Sequence, residues 1–185
     1  MVGELGLCSG FTAKNPRAVL SVYKLPDHQV QDSCGGAPRG SFVIQPPDIQ
    51  FSEWYSWDDV KNIPNSNRTG LYIIARFDDV PEGAADPLAK EIIYIGETHG
   101  GSQTISKRLT MFFKAARIGG GVHKHSGGNR FNRELGADLT NIYAAGFAPE
   151  FDDKRLLNPF IFYAERKLIW EYVVKHGTLP LSNGY

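Results

Sequence analysis

Glu165 stands where an apolar side chain is expected. A helix over residues 160–175 places Ile161, Glu165, Leu168 and Tyr172 at i, i+4, i+7 and i+11, on one face that turns to a core. A carboxylate there is costly unless it is paired or binds a metal, so Glu165 is either half of an ion pair with an arginine or a metal ligand. Arg108 lies beside Leu109 in a second helical stretch. A guanidinium fits phosphate through its planar fork and stabilises charge that develops in phosphoryl transfer; its plainer alternative is a surface arginine. Tyr72 and Tyr94 each occupy a strand-like run beside a glycine. Such tyrosines pack in cores by default, yet a phenol can orient or deprotonate water when its surroundings assist. His99, His123 and His125 could ligate a metal or act as bases. The run His123-Lys124-His125 is embedded in glycines and reads as a mobile loop that either contacts phosphate or is idle. There is no phosphate-cradling loop of the nucleoside-triphosphate type, no paired CxxC set and no strand–serine–helix elbow.

The elements that must position these residues follow from periodicity and punctuation. Residues 71–75 and 92–95 are β-rich runs bounded by turn residues, and residues 142–147 read as a third strand. Residues 78–90 between the first two form an elaborated hairpin loop. Ile105, Leu109, Phe112, Phe113 and Ala116 form the apolar stripe of a helix over residues 103–117, with Ser102 as its N-cap and Gly119-Gly120-Gly121 as its stop. Residues 130–135 suit a short helix, and Pro159 opens the last helix, which Gly177 ends. Two strands before the first helix predict an α+β fold: a small antiparallel or mixed sheet of about three core strands, flanked by helices. Residues 1–66 read as an accessory arm and residues 67–185 as the main domain. Within the arm, residues 19–23 and 41–44 suit short strands, and residues 52–60, with Trp54, Tyr55 and Trp57, suit a short helix.

Twenty basic and twenty acidic residues give no net charge, which by itself argues against a nucleic-acid partner. Their distribution argues the other way. Residues 98–133 contain no Asp or Glu but carry Lys107, Arg108, Lys114, Arg117, Lys124, Arg130 and Arg133, so one electropositive face is expected on an otherwise acidic molecule. No apolar run has the roughly 18 residues of a membrane span, so no membrane partner is expected. Residues 1–6 lack the pattern of a secretory leader. Cys8 and Cys34 form no disulfide framework or zinc spacing, which favours free thiols and a cytoplasmic location.

Taken together, the chemical residues resemble the GIY-YIG nuclease family. Gly70-Leu71-Tyr72 is similar to its first signature, with leucine for the usual isoleucine, and Tyr94-Ile95-Gly96 matches the second. The family's helical arginine falls on Arg108, its metal-binding glutamate on Glu165 and its terminal asparagine on Asn183. The resemblance implies a GIY-YIG-like fold and hydrolysis of DNA phosphodiesters with one Mg²⁺ or Mn²⁺ held by Glu165. It also implies that Tyr72 positions and deprotonates water, its pKa brought down by nearby cations, while Arg108 binds the scissile phosphate. Tyr94 would hold a phosphate oxygen or the water, and Asn183 would brace the site. Lys107, Lys114, Arg117, His123, Lys124, His125 and Arg130 would bind the duplex. The long stretch between Tyr72 and Tyr94, with the arm, looks most like the restriction-endonuclease branch, which implies a restriction or defence enzyme acting as a homodimer or pairing on DNA. Phe112 departs from the pattern, because members often carry His or Tyr one turn after the arginine. Either Tyr72 works unaided or a histidine from residues 123–125 reaches in. The alternatives are a catalytically inactive DNA-binding module of the same fold and an RNA-directed nuclease.

Overall fold

A computed structural model of the protein describes residues 46–98, 100, 102–121 and 123–184. The strands expected at residues 19–23 and 41–44, both cysteines and His99 lie outside the described residues. Four strands, β1 (Tyr55–Ser56), β2 (Leu71–Arg76), β3 (Ile92–Glu97) and β4 (Ile142–Phe147), form one sheet in the order β1-β4-β2-β3. Every pairing is antiparallel, with no parallel ladder among the described residues. Three helices, α1 (Ile105–Ile118), α2 (Ser126–Leu135) and α3 (Leu157–His176), complete an α+β fold.

Strand alternation divides the core in two. Tyr72 and Ile74 of β2 face a cluster that includes Leu109, Phe112 and Phe113 of α1 and Phe131 of α2. Leu71, Ile73 and Ala75 face the opposite cluster, with Phe160, Ile161, Ala164, Leu168 and Tyr172 of α3. The apolar stripe expected on α3 is therefore the one it buries. A bulge interrupts the alternation in β3. Ile74 pairs with Tyr94 and Ala75 with Ile92, which leaves Ile93 extra, so Ile93 and Tyr94 both join the α1–α2 cluster.

Some expectations need correction. Residues 52–60 are not a helix: Tyr55 and Ser56 pair with Ala144 and Tyr143, because these aromatic residues suit a half-buried sheet surface. Phe51, Val60 and Ile63 are buried in the two clusters, so part of the segment grouped with the arm belongs to the sheet and its cores. The N-cap of α1 is Thr104, whose hydroxyl accepts from the Lys107 amide; Ser102 lies outside the helix and its carbonyl accepts from Lys107 Nζ. Helix α2 starts at Ser126, four residues before the expected position, on the far side of Gly127-Gly128. Glycines weaken a helix by propensity, but here they serve close packing. A side-chain carbon at Gly128 would stand 2.4 Å from the Phe112 carbonyl oxygen of α1. Helix α3 likewise begins at Leu157, with Pro159 inside its first turn, where no amide donor is needed. No described helix is long and apolar enough to cross a membrane.

Candidate active site

The five residues singled out for chemistry come from five different places. Tyr72 is on β2, Tyr94 on β3, Arg108 on α1, Glu165 on α3, and Asn183 in the tail after α3. The two phenols face each other across Gly96, with ring centroids 5.9 Å apart. A side-chain carbon at Gly96 would stand 2.5 Å from Tyr94 Cε1 and 2.7 Å from Tyr72 Cζ, so the pair exists only because this position has none. Gly146, the cross-strand neighbour of Tyr72 on its other side, is similarly tight against Ile63.

Burial and charge set the chemistry of the pair. Tyr72 is fully buried, and desolvation pushes its pKa well above the phenol's usual value. The negative charge that Tyr94 would carry raises it further, and Arg108 opposes both. Nearby cations were expected to win, but burial outweighs them. Tyr94 is also raised, first by desolvation. The Tyr72 hydroxyl lowers it, the Glu165 charge raises it, and Arg108 lowers it. Arg108 and Glu165 thus both act on Tyr94, which joins the arginine and the carboxylate to the phenols. Both phenols keep their protons at neutral pH.

His125 occupies a place that the glycine-rich context did not suggest. It is 2% exposed and is the N-cap of α2, its Nδ1 accepting the Gly128 amide at 3.2 Å. With Nδ1 used as acceptor, the neutral ring carries its proton on Nε2, which meets the Tyr72 hydroxyl at 3.1 Å. Desolvation first, then the Arg108 charge, lowers the His125 pKa to about 4, so the ring is neutral at physiological pH. A histidine from residues 123–125 does reach in. It meets Tyr72 within the core rather than from a surface loop. Phe112, where the resemblance leads one to expect His or Tyr, packs against the rings of both Tyr94 and His125, with centroids 5.2 and 5.3 Å away.

Tyr94 opens onto a cleft of about 650 Å³ along the β3 edge of the sheet. One wall is α2, with Ser126, Asn129, Arg130 and Arg133; the other is α3, with Glu165, Arg166, Ile169, Trp170 and Val173. The tail supplies Leu179, Ser182, Asn183 and Gly184. Gly127 lets α2 start against the Tyr94 ring, since a side-chain carbon there would come within 2.3 Å of it. The Glu165 side chain is 12% exposed and lies 3.6 Å from Arg166 Nε. It therefore sits at the cleft wall, neither lost in the core nor turned out to solvent. Asn183 is a brace: its Oδ1 accepts from the Ile95 amide and its Nδ2 donates to the Ile95 carbonyl, both at 2.8 Å. Its own carbonyl accepts from Arg130 Nη1 at 3.1 Å.

The basic residues expected to bind a duplex divide. Arg130 lines the cleft, joined by Arg133 and Arg166. Lys107, Lys114, Arg117, His123 and Lys124 are not part of its lining. Arg117 instead lies over the Trp57 ring, 5.6 Å from its centroid, and His125 is inside the fold. Among the described residues no three His, Cys, Asp or Glu converge as a metal cage. A single carboxylate at a cleft wall suits a hard, largely hydrated ion that also leans on a substrate phosphate. Arg166 and Trp170 were not marked by sequence reasoning; their i, i+4 spacing with each other on α3, with Arg166 adjacent to Glu165, was the available signal. Comparison with protein-family models, curated proteins and solved structures found no match to this chain.

Proposed function

We propose that the protein is a metal-dependent endonuclease that hydrolyses DNA phosphodiester bonds. The observation that carries this reading is that Tyr94, packed on Tyr72 and within the field of Arg108, shares one arginine-lined cleft with Glu165. The three cleft arginines attract a phosphate chain. Glu165 would hold Mg²⁺ or Mn²⁺. Such an ion, when bound, supplies Lewis-acid stabilisation of phosphoryl charge and lowers the pKa of nearby water and phenols.

Tyr94 keeps the role the resemblance implied, and Tyr72 does not. Tyr94 is the phenol at the cleft, so it contacts the phosphate oxygen or the attacking water. Tyr72, enclosed behind it, is a positioning residue. His125 Nε2–H donates to the Tyr72 oxygen, which leaves the Tyr72 proton directed away from the histidine and available to steady Tyr94. Arg108 stabilises negative charge on either phenol and on the reacting phosphate. Asn183 holds the backbone between Tyr94 and Gly96. A cut through both strands calls for two such sites, so this reading includes pairing of two copies. A restriction or defence role fits the same chemistry.

The test is cleavage of supercoiled plasmid with Mg²⁺. Wild type is expected to nick or linearise it, and chelation to stop the reaction. Glu165→Ala is expected to lower the rate at least a thousandfold with an unchanged circular dichroism spectrum. Metal-dependent cutting by folded Glu165→Ala at near wild-type rate would remove Glu165 from the chemistry and the proposal with it.

A further inference from the structure

The cleft contains a feature that phosphate chemistry does not use. Trp170 stands on its α3 wall with 70% of its surface exposed. Exposing a large apolar ring to water is unfavourable, and nothing in phosphodiester hydrolysis requires an indole. Arg166, one turn earlier on the same helix face, and Arg130 and Arg133 across the cleft place cations around it. Tyr163, 52% exposed and outside the cleft lining, continues that face of α3 two turns before Trp170, about 10 Å along the axis. Guanidinium and aromatic groups alternating along one track fit a strand whose phosphates and base faces are both accessible. A duplex hides its base faces in the stack, whereas an unpaired strand, or a stretch opened within a duplex, offers one to the indole without the cost of unstacking.

We infer that the cleft takes single-stranded DNA, with a base stacked on Trp170 and its phosphate directed by Arg166 toward Glu165. This rests on the nuclease reading for the identity of the strand, but stacking can be measured without turnover. The experiment titrates the protein, in chelator, with a 12-nucleotide single-stranded DNA, its duplex and the RNA of the same sequence, following tryptophan fluorescence and anisotropy of a labelled strand. Saturable quenching by the single strand is expected. Trp170→Phe should bind within about threefold of wild type without that quenching, because a phenyl ring still stacks while the signal of Trp54 and Trp57 remains. Trp170→Ala should bind about tenfold more weakly. Equal affinity of Trp170→Ala and wild type would overturn the inference, as would tighter binding of duplex or of RNA than of single-stranded DNA. Sedimentation without DNA supplies a further check: a Trp170 emission shift that tracks self-association would show a second copy on this face and overturn it too. Quenching without any cleavage in Mg²⁺ upholds stacking and removes the nuclease. Cleavage without quenching does the reverse.

Discussion

A missing side chain is the most constrained choice in the site. Gly96 separates the two phenols, and Tyr72 also pairs with Gly146 on its other side. Replacing Gly96 with Ala forces a methyl group to within 2.5 Å of the Tyr94 ring and 2.7 Å of Tyr72, which is enclosed on all sides. Overpacking of this kind costs about 1–3 kcal/mol. Gly96→Ala is therefore expected to lose that much in urea unfolding, and to lose plasmid cleavage even where the fold survives. Wild-type stability and rate in this variant would show that the pair is not packed across Gly96. At this scale much was legible. Glu165 drew notice by breaking an apolar stripe, whereas Tyr72 and Tyr94 read as core residues and were singled out only by the family resemblance. The pKa of Tyr72 was not legible, since it depends on how completely neighbours distant in sequence enclose the ring, and the expectation of a lowered value took account of cations but not of burial.

At the scale of elements, the helices and strands with clean periodicity appear where the apolar pattern put them. The failures have a common cause, that tertiary packing overrides local propensity. Gly127-Gly128 reads as a loop, yet contact with Phe112 and Tyr94 needs residues that small, so a helix forms through them. His125 is an uncommon cap whose second nitrogen is satisfied only by a tyrosine on a distant strand. The tail is the other case. Asn183 reaches Ile95 through two hydrogen bonds that no local pattern announces. Asn183→Ala removes both, each worth about 1 kcal/mol. The variant is expected to be about 2 kcal/mol less stable, with faster hydrogen exchange at the Ile95 amide than at Ile73. Unchanged exchange at Ile95 would mean that the tail does not hold β3.

Over the whole molecule, the buried imidazole links folding to pH. His125 titrates at about 4 in the fold and near 6.5 in the unfolded chain. Between those values the unfolded chain binds the extra proton, so stability rises with pH across this window. The stabilisation is fully present above about pH 6.5, declines as pH falls toward 4 and levels off below, a total on the order of 3 kcal/mol. His125→Asn keeps an acceptor for the Gly128 amide but does not titrate. Urea unfolding of the two proteins from pH 7.5 to 4 is expected to show a steeper acid loss for wild type, and parallel curves would contradict a neutral buried imidazole.

The tail bonds to β3 have a consequence beyond the cleft. The outermost strand of a sheet ordinarily displays unused amides and carbonyls, an invitation to edge-to-edge aggregation. Here Ser182 and Asn183 occupy those groups at Ile93 and Ile95, and the opposite margin is β1, only two residues long. Among the described residues neither margin offers a long open ladder, so edge-to-edge extension of this sheet by another chain is disfavoured.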